Sequence, residues 1–426
     1  MGPSVRCEPA ILLLLFLLFF AVPVNGSADD GSNATERDLY GLENPYKVTL
    51  FIPSATMIHS DQIRDQVTTP DMDILFGTSY GLSLYNGTWS TRHINRDNIT
   101  EGLMDEYITA IEFDNDGNLW IGYSGGIQIY NGRYYQTIRD QQILRETRIQ
   151  DLQRWDDDMW VATGHAGIHR YRNGVWTWFQ PMSKGGPGFY EIRAMALDPP
   201  PDDMLVITTY DAGIWVVESP DDPVIFRQVA PQEGTNGLLQ QVRRNMNGDG
   251  VYLFNDTSVV RYTPSDEFLP VLTTADLSAK EITINDLASS PGGSLYLATD
   301  DGIYIWRDGN VNRHLSRFEG LGTSEVIRTV YIDALGRVWF SSQGFVGYFY
   351  DESSSGSWVP FEPGTNAVTS IPATPEPIPV TTSVITPQAT RQEQDMGTGG
   401  LAPILDPIIR AIISILSKLG IVPAPS

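Results

Sequence analysis

Asn118-Leu119-Trp120-Ile121-Gly122-Tyr123-Ser124-Gly125-Gly126-Ile127-Gln128-Ile129-Tyr130-Asn131-Gly132 reads as strand, tight turn, strand, tight turn. β-Branched and aromatic residues fill the runs, and Gly, Ser and Asn punctuate them. Approximations of this stretch recur along the chain. With Gly126, the small residue opening the second strand, as anchor, the same place is held by Gly81, Gly167, Gly213, Ser258, Gly302 and Phe345, at spacings of 41–46 residues. A sustained period of about 40–45 residues is the mark of propellers and repeat arrays.

The register inside the copies agrees. Four residues after the anchor a ring recurs: Tyr85, Tyr130, Tyr171, Tyr262, Trp306 and Phe349, with Val217 the exception. Six or seven before it stand Leu75, Trp120, Trp160, Val206, Tyr252, Tyr296 and Trp339, and eighteen before it Ile63, Ile108, Ile149, Ile284 and Ile327. The seventh copy shows four runs, Ile327–Asp333, Arg337–Ser341, Val346–Tyr350 and Trp358–Phe361. Four antiparallel strands per unit without a helical period predict the blade of a β-propeller, so the fold class is all-β with seven four-stranded blades. One blade cannot bury both faces, and the aromatic registers are expected to pack blade against blade. Lys47–Ile52 alternates like a strand and is expected to add to the outer edge of the last blade, closing the ring.

The pattern Asp-x-Asp-Gly-x-Leu-Trp-Ile-Gly followed by Gly-Ile-x-x-Tyr resembles the two-component-regulator propeller family. Asp114–Tyr130 and Asp333–Tyr350 match it best, with Ser294–Trp306 next, and the resemblance covers about residues 60–361. It implies a seven-bladed propeller of the ligand-binding, sensor type, which in that family is usually the extracytoplasmic half of a larger signalling protein. No kinase, phosphorelay or DNA-binding segment is read after this propeller.

Composition narrows the functional classes. The net charge of −24 is opposite in sign to what a nucleic-acid surface needs, so no nucleic-acid partner is expected. The one cysteine, Cys7, lies in the leader, so the rest of the chain has no disulfide, thiol nucleophile or thiolate-bound metal. Met1–Gly26, with Arg6 and the apolar run Ile11–Val22, reads as a secretory signal peptide. Residues 27–46 are polar and acidic and are expected to be loosely ordered. The propeller is expected over 47–362, a Pro/Thr-rich linker over 363–400 and an amphipathic helical tail over 401–426. In that tail Asp406, Arg410, Ser414 and Ser417–Lys418 form one polar stripe on an otherwise apolar helix, ended by Gly420 and Pro423. It has three readings: lying at a membrane surface, packing on a protein, or spanning a bilayer. The last buries Arg410, so attachment or oligomerisation is favoured. The chain is therefore expected to be exported and held at the cell surface. Asn33, Asn86, Asn98 and Asn255 open Asn-x-Thr triplets and are glycosylation candidates.

On propeller geometry the turn before the anchor and the start of the innermost strand share one face. The turns supply Tyr80, His165, Tyr210, Asp211, Asp256, Asp300 and Asp301; the strand starts supply Arg64, Asp65, Asp151, Arg193, Asp286 and Arg328. Charges of both signs around one mouth suit a small polar ligand, a glycan or a protein segment. Asp114–Asn118 resembles the opening of a calcium loop, but Gly125 stands where the bidentate acid belongs, so a β-turn is expected there and at Asp156-Asp157-Asp158. No metal or cofactor is implied, and no catalytic residue is assigned. The competing class is an extracytoplasmic lyase or hydrolase centred on His165; His165 and His169 are spaced four apart but sit on a turn and strand, where they do not share a face.

Overall fold

A computed structural model describes residues 47–351, apart from 96, 199–202, 230–237 and 249, together with the short segment 381–383. The leader, linker and C-terminal helix read from the sequence, Asn33, and Trp358–Phe361 lie outside the described residues.

The described chain forms seven antiparallel sheets whose innermost strands follow one another around a ring. In each of the first six the strands lie in chain order from the axis outward; the first blade is Ile63–Thr68, Ile74–Thr78, Gly81–Tyr85 and Trp89–Arg92. The seventh uses Ile327–Ile332, Arg337–Ser342 and Phe345–Tyr350, and takes its outer strand from the other end of the propeller. Thr49–Phe51 pairs antiparallel with the third strand, Thr49 opposite Tyr348 and Phe51 opposite Val346. The expected closure is therefore present, and its fourth strand is Thr49–Phe51. Phe51 also fastens the two ends together, its ring centroid 5.3 Å from that of Tyr85 and 6.1 Å from that of Trp339. Residues Thr381–Ser383 run parallel to Val175–Phe179, the outer strand of the third blade.

The blades pack through the two ring registers. The residue six or seven before the anchor on one blade meets the residue four after the anchor on the next. Trp120 meets Tyr171 at 5.1 Å, Tyr296 meets Phe349 at 6.4 Å and Trp339 meets Tyr85 at 5.3 Å between centroids. Burying a Trp here removes a large apolar area from water, and truncating one costs about 3–5 kcal/mol. The indoles are aimed by the first turn of their own blade: Trp120 Nε1 donates to Asp114 Oδ2 (2.9 Å) and Trp339 Nε1 to Asp333 Oδ2 (2.7 Å). Asp114 also accepts from the Asp116 and Asn118 backbone N–H groups, so Asp114–Asn118 is a side-chain-capped turn, as expected.

The anchor glycines are required by backbone geometry. Gly126 has φ +128°, and a Cβ there would lie 2.3 Å from the Ile138 carbonyl oxygen; at Gly302 (φ +96°) it would lie 2.1 Å from that of Leu315. The turn before the anchor is locked by a buried threonine: Thr78, Thr163, Thr209 and Thr299 donate their hydroxyls to the anchor carbonyls at 2.7–2.9 Å.

Candidate binding face at the channel mouth

The innermost strands share one irregularity that builds the mouth. In six blades the ladder slips one residue near the strand start, between Ile63 and Asp65, Ile108 and Ala110, Ile149 and Asp151, Ile192 and Ala194, Ile284 and Asp286, and Ile327 and Thr329. Each bulge leaves its middle residue out of the ladder and free to aim elsewhere. In three blades that residue is an arginine: Arg64, Arg193 and Arg328.

These arginines fan onto the rim. Arg64 lies over the Tyr107 ring at 4.8 Å. Arg193 lies over the Tyr210 ring at 5.1 Å while its Nη1 donates to the Tyr210 hydroxyl at 2.9 Å. Arg328 Nη1 reaches Asp61 Oδ2 at 3.5 Å, and the same oxygen accepts from Gly344 N at 2.6 Å. Tyr80 stands about half exposed beside the stacked His59 and His93 rings. Nine of the twelve exposed large apolar side chains among the described residues lie in the turns and connections of this face: Ile52, Tyr80, Tyr107, Met182, Tyr190, Tyr210, Leu238, Phe318 and Val326. Tyrosine and arginine with apolar neighbours is the composition of binding surfaces.

The acidic residues read from the sequence divide into two groups. Asp211 and Asp256 are exposed on the rim. Asp300 accepts from the Thr283 backbone N–H at 2.8 Å, and Asp301 is held by Lys280 (3.0 Å) and the Tyr304 hydroxyl (2.8 Å). Asp65, Asp151 and Asp286 lie one layer deeper and work as staples between blades. Asp65 accepts from Gln66 N (2.9 Å) beside it and Ile111 N (2.7 Å) on the next blade. Asp151 does the same with Leu152 N (2.8 Å) and Met195 N (2.6 Å), and Asp286 with Leu287 N (2.9 Å) and Val330 N (3.2 Å). Arg243 pairs with Asp286 at 2.9 Å.

Burial pushes the Asp65 carboxyl up to about 8, with the Asp151 charge adding to it, and pushes Asp151 up to about 6. Burial also raises Asp286, against the pull of Arg243, and raises Glu112 to about 7. Their oxygens being committed to backbone N–H groups, these three aspartates are framework for the mouth rather than open ligand groups.

His165 is exposed and already partnered. Its Nδ1 lies 2.8 Å from Glu191 Oε1, its Nε2 lies 3.0 Å from Arg148 Nη2, and its backbone N–H donates to Glu146. His169 is fully buried elsewhere. Among the described residues no group of three or more His, Cys, Asp or Glu is placed to hold a metal ion. Of the glycosylation candidates, Asn86 is exposed in an outer turn, and the amide oxygens of Asn86, Asn98 and Asn255 each accept from their own Thr88, Thr100 and Thr257.

Residues 102–125 match the family model described as the two component regulator propeller. That match covers the first two strands of the second blade, so this one repeat is similar to the two-component regulator propeller repeat. No curated protein sequence matches the chain. Among solved structures, the extracellular domain of the one-component system BT4673 from B. thetaiotaomicron is similar at 18% identity and TM-score 0.56, over 72% of this chain and 40% of that one. Streptogramin B lyase is similar at 12% identity and TM-score 0.53, over 70% of this chain and 97% of the lyase. The WD40 propeller domain of Doa1 is similar at 14% identity and TM-score 0.51, over 72% and 98%. At these identities the likeness bears on the fold, which a regulator domain, a lyase and a WD40 domain share. The chain spans well under half of the regulator domain it matches.

Proposed function

We propose that this chain is an exported, non-catalytic binding module of the sensor type, tethered at the cell surface through its C-terminal segment. Its working face is the mouth carrying Arg64, Arg193 and Arg328, and its ligand is a small polar molecule, a glycan or a protein segment. The observation that carries this reading is the repeated bulge, which takes three arginines out of the ladder and sets two of them against exposed tyrosine rings. Planar cations next to rings recognise carboxylates, hydroxyl arrays and peptide groups alike. The extracellular placement of the similar regulator domain supports export, and the signal-like leader supports it independently.

The enzymatic alternative centres on His165, whose two ring nitrogens face Glu191 and Arg148. Chelation and His165→Ala separate the two readings. A binder keeps its ligand through both, whereas a metal- or histidine-dependent lyase or hydrolase loses its activity. Tethering is tested by fractionating the intact protein beside a version ending at about Pro363. The intact form is expected in the membrane or envelope fraction and the shortened form in the soluble one; equal solubility removes the anchor from the account.

A further inference from the structure

One seam of the ring departs from the packing rule that holds the others. The place filled by Trp120, Trp160, Tyr252, Tyr296 and Trp339 in five blades is Leu75 in the first and Val206 in the fourth. At the fourth blade the missing ring leaves no gap, because Val206 is fully buried in a cluster with Tyr262 and Phe268. At the first blade it does. Between the first and second blades lies a cavity of ≈ 310 Å³, walled by Leu75, Leu82, Leu84, Phe113, Leu119 and Tyr130. That volume is at the lower end of small-molecule sites, and the cavity opens to solvent past the exposed Asp71 and Gly132.

The cavity keeps the fittings of the absent indole. Tyr130 holds the position that Tyr171 and Tyr85 hold against Trp120 and Trp339. Thr69 stands on its wall at the turn position occupied by Asp114 and Asp333, the acceptors of those two indole N–H groups; Thr69 N donates to Asp73 O as Asp114 N donates to Asn118 O. Charged groups of both signs complete the lining. Arg92 lies over the Tyr130 ring at 4.5 Å and donates to the Tyr135 hydroxyl at 3.2 Å, and no carboxylate among the described residues forms an ion pair with it. Asp71 and Asp73 line the same cavity.

We propose that this lateral cavity binds a free aromatic amino acid. The ring takes the seat of the missing indole beside Leu75, toward the edge of Tyr130, whose faces are covered by Arg92 and Tyr135; the carboxylate meets the guanidinium of Arg92, and the ammonium meets Asp71 and Asp73. The site is separate from the channel mouth and stands or falls independently of it.

L-tryptophan is the probe, titrated calorimetrically into the full chain, with N-acetyl-tryptophanamide and L-leucine as controls. Saturable tryptophan binding at least tenfold tighter than either control is expected. Leu75→Trp restores the side chain of the other blades and fills the seat, so it should abolish binding while leaving the melting temperature unchanged or raised. Leu84→Phe narrows the same cavity and decides the matter if Leu75→Trp does not fold. Arg92→Gln should weaken tryptophan at least fivefold. Absence of saturable binding, or binding that survives both filling variants, overturns the site. Equal binding of the capped amide overturns the assignment to an amino acid.

Discussion

His169 lies fully buried on the third strand of the third blade, its ring stacked on Trp178 at 6.3 Å, and neither ring nitrogen finds a hydrogen-bond partner among the described residues. Burial, with the nearby Arg145 charge, pushes its pKa from 6.5 down to about 3. A group depressed in the folded state contributes stability that is fully present above its unfolded pKa and is lost as pH falls toward the folded one. Between pH 7 and pH 5 the unfolded chain takes up a proton that the folded chain refuses, a loss of about 2 kcal/mol at 1.36 kcal/mol per pH unit. Asp65, Glu112 and Asp151 act oppositely, since their folded pKa values are raised and the stability they add at low pH is lost as pH rises. The wild-type profile mixes the two, so the informative quantity is the difference from His169→Phe. Phenylalanine keeps the ring and removes both nitrogens, and at pH 7 it should stabilise by about 1 kcal/mol by relieving unsatisfied polar atoms. Urea unfolding at fixed ionic strength from pH 5 to pH 8 reads the difference, which should grow by about 2 kcal/mol between pH 7 and pH 5. A pH-independent difference refutes the reasoning.

Above pH 6.5 the histidine contribution is complete and Asp65 dominates. Wild-type stability should fall by about 2 kcal/mol between pH 6.5 and pH 8, about 1.5 of it from Asp65 and most of the rest from Glu112, and Asp65→Asn should remove the larger part of that limb in the same urea titrations. Asp65→Asn should also lower stability at pH 6.5 by about 1–3 kcal/mol, because one amide end would face a backbone N–H. Phe51→Ala should cost about 3–5 kcal/mol through loss of the ring closure, whereas Ile52→Ala, at 64% exposure, should stay within about 0.5 kcal/mol by thermal melting. Trp120→Ala should cost about 3–5 kcal/mol at an ordinary blade seam.

The blade architecture was legible because its signals are local or strictly periodic. The anchor glycines mark left-handed backbone, the ring registers mark the seams, and the alternation of Lys47–Ile52 marked the closing strand. The roles of Asp65, Asp151 and Asp286 were not legible. An aspartate at the start of a strand looks like a ligand group, and its real partners are backbone N–H groups on the next blade, such as Met195 for Asp151. The bulges were equally hidden, since a one-residue slip leaves no composition signal. The locking threonines, by contrast, stand three residues before the anchor in two copies (Thr78, Thr299) and four before it in two (Thr163, Thr209), a near-regularity the sequence does carry. The cavity beside Leu75 was also foreshadowed there, as the one Leu in a column of Trp, Tyr and Val.

The most direct test of the binding face compares wild type with an Arg64→Ala, Arg193→Ala, Arg328→Ala variant on arrays of oligosaccharides and peptides, after matching their melting temperatures. These arginines sit on bulges outside the ladder, so the fold should tolerate their loss. The account predicts that a ligand retained by the wild type is weakened at least tenfold in the variant. Retention unchanged in the variant contradicts it and moves the working face away from this mouth.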